Sequence, residues 1–302
     1  MTALDGMKSD GSSSRRGGAE PSDVFSVVMS EKTFDRLSEF IHNFCGIKMP
    51  PAKKTMLEGR LRKRLRALGM RSFEEYCKFA LDGKGGQSEY IHMIDVVTTN
   101  KTDFFRESGH FDYLVEKVLP ELLQSRGSGG GTRINVWSAG CSTGEEPYTL
   151  AMVLSEFSER ISRIDFSILA TDISTSVLEK ARRGVYEHEK VEPVALNLRR
   201  KYLLRGKGEK NDFVRIRPEL RECVTFRRLN LLEDDYPFSE PMHIIFCRNV
   251  MIYFDRSTQE KLVKKFCAHL APGGYFFTGH SETLHGLDLP LASLAANVHR
   301  RL

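Results

Sequence analysis

The sequence has little of what would place it in several common protein classes. It has no run approaching the roughly 18 consecutive apolar residues of a membrane span, and its polar N-terminus has no signal-peptide core. These absences predict a cytoplasmic protein without membrane insertion. None of the six cysteines forms a Cys-x-x-Cys pair, and no histidines cluster at metal-ligand spacing. Cys45, Cys77, Cys141, Cys223, Cys247 and Cys267 therefore read as reduced, mostly buried thiols, and no metal site is expected. The net charge of +5 is mild for 302 residues and does not by itself indicate nucleic-acid binding. The Gly-x-Gly-x-x-Gly fingerprint of dinucleotide enzymes is also missing, which disfavours a dehydrogenase. At this length the chain can bury a large core, and two domains are expected.

Residues 1–23 are rich in Ser, Gly and charge and cannot bury enough apolar surface to fold, so they are expected to form a disordered tail. Residues 24–110 read as an all-α domain. Phe34, Leu37, Phe40, Ile41 and Phe44 recur at spacings of three and four, one face of a helix. After the break at Gly46-Ile47-Lys48-Met49-Pro50-Pro51, a helix over 53–68 places Leu57, Leu61, Leu65 and Leu68 on one stripe. Its other faces carry Lys53, Lys54, Arg60, Arg62, Lys63, Arg64 and Arg66 against the single Glu58. Such a basic surface suits plain solvation or docking to an acidic protein partner. No nucleic-acid-binding motif or aromatic interleaving accompanies it, so no nucleic-acid partner is expected. Ser72-Phe73-Glu74-Glu75 resembles a capping box, opening a helix through Leu81.

The segment Thr98-Thr99-Asn100-Lys101-Thr102-Asp103-Phe104-Phe105-Arg106-Glu107 crowds hydrogen-bonding side chains beside two phenylalanines. It fits a helix start capped by Asn100 or Thr102. It equally fits a lid whose polar groups face a ligand while the Phe pair anchors it. Next, Ile134, Val136 and Trp137 predict a buried strand that breaks into Ser138-Ala139-Gly140-Cys141-Ser142-Thr143-Gly144, with Glu145 and Glu146 opening a helix. Strand, small-residue loop and helix are how a doubly wound α/β sheet opens a nucleotide site. A second strand over 164–170 ends at Asp172, placed to accept from a ribose diol or to cap the helix that follows. Residues 184–222 interrupt the βα rhythm. A helix over 193–202 and a hairpin of 202–205 with 213–216 suggest a small insertion on the sheet edge. Strands over 224–229 and 243–247 then resume the pattern. A helix over 259–270 and a last parallel strand over 275–278 follow.

Carboxylates at the helix entrance disfavour a pyrophosphate and favour a cationic ligand such as the sulfonium of S-adenosylmethionine. Four motifs then occur in order. They are Thr98 to Glu107, Trp137 to Tyr148, Cys247-Arg248-Asn249-Val250-Met251-Ile252-Tyr253-Phe254, and Gly279-His280-Ser281-Glu282. With them the chain from about Phe34 to His280 resembles the CheR family of chemotaxis receptor methyltransferases. That resemblance implies a Rossmann-like S-adenosylmethionine-dependent methyltransferase domain over 111–302, carrying an inserted β-subdomain at about 184–222. An all-α domain over 24–110 would precede it. It further implies methyl transfer to glutamate side chains of chemotaxis receptors. Asn100, Thr102, Arg106, Gly140, Glu145, Asp172, Asn230, Leu231, Arg248 and Asn249 would line the donor pocket. Lys53, Arg60 and Arg64 on the basic helix would contact the receptor, and a receptor C-terminal tether would find the β-subdomain. Glutamate is ionised at neutral pH, so transfer needs alignment rather than a general base. Arg106 and Tyr253 are the expected catalytic pair, holding the carboxylate or flanking the methyl group.

Overall fold

The apolar stripes of the N-terminal third fold against one another as four helices. In the computed structural model, which describes residues 27–83, 86–125, 133–160, 164–238 and 240–302, the expected tail over 1–23 lies outside the described residues. Helix α1 (Glu31–Cys45) is capped by Ser30, whose hydroxyl accepts from Thr33 N, and it ends at Gly46. A 3-10 turn, Pro51–Lys53, leads into α2 (Lys54–Leu68), which buries Leu57, Leu61 and Leu65. In α3 (Phe73–Asp82) only half of the expected capping box forms. Ser72 accepts from Glu75 N, but the Glu75 carboxylate takes Arg71 N. Helix α4 (Gly86–Val97) closes the bundle, and Met93 and Ile94 join Phe34, Leu37, Phe73 and Tyr76 in its core.

Residues 98–103 are irregular and 104–108 are turns, and the next helix begins at Gly109, so neither Asn100 nor Thr102 caps a helix. Helix α5 (Gly109–Tyr113) continues through a π-helical stretch, Leu114–Val118, into α6 (Leu119–Ser125). The α/β part follows with β1 (Arg133–Ala139), α7 (Glu145–Arg160), β2 (Asp165–Asp172) and α8 (Thr175–Arg183). The interruption contains β3 (Val185–Glu187), α9 (Leu196–Tyr202), β4 (Leu203–Arg205) and β5 (Phe213–Ile216). After α10 (Pro218–Glu222) come β6 (Val224–Arg228), β7 (Met242–Cys247), α11 (Arg256–His269), β8 (Leu270–Thr278), β9 (Leu291–Ala295) and β10 (Val298–Arg301).

Seven strands form one sheet in the order β6-β2-β1-β7-β8-β10-β9. The first five are parallel; β10 runs antiparallel to both β8 and β9. The chain leaves β1 toward β2 and β6, then returns to β1's other side as β7, so β1 and β7 flank the switch point where open α/β sheets bind ligands. One face of the sheet packs under α7 with Leu150, Leu154 and Phe246; the other packs under α11. There Trp137 meets Tyr236, Phe238 and Phe266 edge-on, with ring centroids 4.9–5.1 Å apart.

The insertion is a three-stranded antiparallel sheet, β3-β5-β4. It sits on α7 rather than extending the main sheet's edge. Lys201 bridges Glu156 and Glu159, and the Tyr202 hydroxyl donates to Glu156. Among the described residues no helix is long and apolar enough to cross a membrane.

Candidate active site

The small residues after β1 turn the backbone over the ends of the parallel strands, leaving a cavity of about 330 Å³ at the switch point. Both halves of the molecule wall it. Cys45, Met49, Lys53, Met56 and Arg60 come from the helical part, and Thr98, Asn100, Thr102 and Arg106 from the turn segment. Gly140, Asp172, Asn230, Leu231, Arg248, Asn249 and Tyr253 come from strand ends and the loops after them. Gly140 must lack a side chain: it has φ +81°, and a Cβ there would stand 2.4 Å from Val250 Cγ2.

The turn segment is anchored by its phenylalanines and lines the cavity with polar groups. Phe104 is buried edge-on against Tyr186 at 4.9 Å, and Phe105 packs on Phe111. Its polar residues face the cavity, and Asn100 O accepts from the Ser142 hydroxyl across it. Tyr186 also donates to Thr143 O, so the inserted sheet props the loop after β1.

Asp172 lines the cavity at the end of β2, and the cap of α8 belongs to its neighbour. Its Oδ2 accepts from Ser142 N at 2.9 Å and its Oδ1 from Ser174 N at 3.0 Å, while Ser174 caps α8. Burial raises its pKa and these N–H groups oppose the rise. Asn230 reaches the wall with a committed side chain. Its Nδ2 donates to Phe44 O at 2.6 Å and its Oδ1 accepts from Leu232 N, joining the end of α1 to the cavity floor.

Two expected residues do not face their expected partners. Glu145 is buried away from the cavity, accepting from the Thr143 hydroxyl at 2.6 Å, with a pKa raised by burial. Successive helical residues point about 100° apart, and it is Glu146 that lines the wall. Arg64 is turned inward, making two bonds to the buried Glu89 carboxylate at 2.7 and 3.0 Å, which also accepts from Tyr76. Arg60 lines the cavity and donates to Val97 O and the Thr99 hydroxyl, holding the start of the turn segment.

Sequence reasoning did not single out the network around Arg248. Its side chain is 3% exposed. Nε donates to Glu146 at 2.7 Å, and Nη1 donates to Arg106 O at 2.7 Å and to His110 Nδ1 at 3.0 Å. Ser138 donates to the other Glu146 oxygen. Burial, then Arg248, pushes the His110 pKa down to about 4, so the ring is neutral with its proton assigned to Nε2. Glu107 would be raised by burial, but Arg248 and its hydrogen bonds take it below the ordinary value. The side chains of Glu107, His110 and His280 bring potential metal-ligand atoms within 4.8 Å of one another. Arg248 Nη1 stands 3.5 Å from Glu107 Oε2, so a cation already occupies that space. Glu107 and His110 adjoin the Phe-Phe-Arg motif; nothing in their spacing announced the pairing with a residue 138 positions away.

The wall suits a zwitterionic, partly aromatic donor. Asp172, each of whose oxygens accepts one N–H and keeps a second lone pair, can still accept from a ribose diol; Arg106 and Lys101 offer cations to a carboxylate, and Leu229, Leu231, Ile173 and Val97 offer apolar surface to a base. S-adenosylmethionine therefore fits the residues present.

Comparison with known proteins agrees. Residues 32–98 match the all-alpha domain of the CheR methyltransferases, and residues 100–298 match their SAM binding domain. A chemotaxis protein methyltransferase of Borreliella burgdorferi is 41% identical over 262 residues, 86% of this chain and 91% of that protein. One from Escherichia coli is 39% identical over 262 residues, 87% and 88% of the two chains. Chemotaxis protein methyltransferase 2 of Pseudomonas aeruginosa is 39% identical over 267 residues, 87% and 91%. With both family domains matched and a cavity whose residues fit the methyl donor, the chain belongs to the CheR methyltransferase family and is an S-adenosylmethionine-dependent methyltransferase.

Proposed function

We propose that the enzyme methylates glutamate side-chain carboxylates of chemotaxis receptors, in the cytoplasm, giving glutamate methyl esters. The observation that carries this is the protonation chemistry of the cavity wall. Its two carboxylates are committed: Glu146 to Arg248 and Ser138, Asp172 to two backbone N–H groups. Cys45 is held protonated, its pKa raised by burial to about 11. The remaining charged wall groups, Lys53, Arg60, Lys101 and Arg106, are cations. A wall with cations and no uncommitted carboxylate suits an acceptor that arrives already ionised and negative. A glutamate carboxylate, which in water titrates near pH ~4.3, is one; an amine acceptor would need a base and would meet repulsion.

Bound S-adenosylmethionine supplies an electrophilic methyl group on a good leaving group. Arg106, supported through its Nη1–Lys101 O hydrogen bond, and the hydroxyl of Tyr253 orient the acceptor carboxylate in line with that group. Charge is neutralised during transfer, so the grip on the carboxylate must orient without over-stabilising the ground state. Asn100, Thr102, Gly140, Asp172, Asn230, Leu231, Arg248 and Asn249 form the donor pocket, with Glu146 in the place given to Glu145. Arg106→Ala should lower the methylation rate about 100-fold while leaving the circular-dichroism spectrum unchanged. A rate within twofold of the parent would remove Arg106 from this role.

The helical part, residues 24–110, would receive the receptor on the exposed face of α2, around Lys63 and the cavity-facing Lys53. Residues 111–302 would form the methyltransferase domain. A receptor tether would add to an edge of the β3-β5-β4 sheet, where Val185, Leu204 and Phe213 are exposed.

A further inference from the structure

The loop from Arg248 to Tyr253 carries four wall residues, Arg248, Asn249, Val250 and Tyr253, and its internal hydrogen bonding accounts only for the 3-10 turn at Met251–Tyr253. Asn249 sits at φ 60°, a region that a non-glycine residue enters at a cost, and Val250 presses on Gly140. The N–H groups of Asn249, Val250 and Met251 all point toward the end of β8. Three consecutive N–H groups converging in this way make an anion-binding concavity. A carboxylate of the chain itself fills it. Glu282, 6% exposed, accepts from Val250 N and Met251 N through Oε1 at 2.8 and 2.7 Å. Its Oε2 accepts from Asn249 N and Gly279 N at 2.9 and 2.6 Å.

We propose that Glu282 is a positioning residue for methyl transfer: its carboxylate holds the 248–253 loop in the geometry the donor pocket and Tyr253 require. Both oxygens are needed, because each serves two donors. Gly279 permits the approach, since a Cβ there would stand 2.8 Å from Asn249 N and 3.0 Å from Glu282 Oε2. From Asn249 the network continues through Nδ2 to Glu107, and thence to Arg248. From Val250 it reaches the loop after β1 by packing on Gly140. At the far end, Tyr253 O accepts from Lys48 N, so the helical part fixes the loop's exit. Glu282 touches neither donor nor acceptor; it acts through the three N–H groups it gathers. The inference rests on the reading of this cavity as the donor pocket.

The test uses the full chain with two substitutions. Glu282→Gln keeps the shape but presents an NH2 group to two of the four donors. We expect faster hydrogen exchange at the amides of Asn249, Val250 and Met251 and weaker S-adenosylhomocysteine binding. The turnover number should fall about 100-fold, with the receptor KM within threefold. Glu282→Ala leaves the concavity open, and added formate should restore product binding and turnover saturably, whereas formamide, neutral and of similar size, should not. If Glu282→Ala does not fold, the Glu282→Gln measurements decide alone. Parent-like turnover and exchange in Glu282→Gln, or a folded Glu282→Ala on which formate and formamide act alike, would overturn the proposal. The exchange and product-binding measurements do not involve the acceptor, so a failure of the receptor-glutamate reading would leave them intact and be seen separately.

Discussion

A guanidinium that is 3% exposed has to be neutralised by its surroundings, and for Arg248 they supply Glu146 at 2.7 Å, Glu107 at 3.5 Å and a neutral imidazole at 3.0 Å. Removing one partner of such a set leaves a buried charge uncompensated, at a typical cost of about 3–5 kcal/mol. The neutrality of His110 has a pH consequence. Its pKa is lowered on folding from 6.5 to about 4. As the pH falls below 6.5 the unfolded chain gains a proton that the folded chain refuses, so stability is lost down to about pH 4 and the loss then levels off. The full loss is on the order of 3 kcal/mol. Urea titrations between about pH 7 and 4 should show this slope, and His110→Asn should flatten it; an unchanged slope would mean that His110 does not carry it. Glu107, lowered on folding, loses its contribution in the same direction, so some acid sensitivity should persist in the variant. At this scale the sequence was only partly informative. Strand-end position announced that Asp172 would reach the cavity wall, while its alternative as a helix cap went to Ser174. The choice of Glu146 over Glu145 depends on helix phase within one residue, and the inward turn of Arg64 depends on Glu89, 25 positions away. Neither is visible in a local pattern.

Among the elements, α2 shows what its charge pattern concealed. Seven basic residues read as one surface, yet Arg64 is spent on Glu89, Arg60 on the turn segment, and Lys54 on Glu31. Reversing different positions should therefore have different effects. Arg64→Glu places a carboxylate beside a buried carboxylate and should destabilise the helical part by several kcal/mol, seen as a lower thermal midpoint. Lys63→Glu, on the exposed face, should leave the midpoint within about 1 °C but weaken receptor methylation. If Lys63→Glu methylates receptors at the parent rate, the docking surface lies elsewhere. Helix periodicity found α1 and α2, a capping-box pattern found α3, and the turn-rich loop over 206–212 found the β4–β5 hairpin. The β9–β10 hairpin was not found: Val298-His299-Arg300-Arg301 has no apolar alternation, and its place is set by pairing with β8 on one side and β9 on the other. The insertion's seat on α7 was likewise hidden, because it depends on Lys201 and Tyr202 converging on Glu156.

For the whole molecule, the cavity belongs to neither half. Asn230 and Tyr253 on the α/β side hold the backbone of Phe44 and Lys48, Asp255 faces His42 at 3.4 Å, and Asp95 at the end of α4 accepts from Thr175 at the start of α8. The cavity and the basic helix α2 are thus built into one frame, with the turn segment at 98–107 between them. The motifs that made the family legible meet at or beside this junction, and of the contacts that hold the halves together only Tyr253 O–Lys48 N involves one of them; those of Asn230, Asp255 and Asp95 fall outside. The most direct experiment supplies the enzyme with methyl-labelled S-adenosylmethionine and receptor-bearing membranes, then treats the labelled protein with mild base. Label should appear on the receptor and be released as methanol, the lability of a carboxyl methyl ester. Label that survives base, or donor binding with no transfer to receptor, would contradict the assignment of glutamate carboxylates as the acceptor.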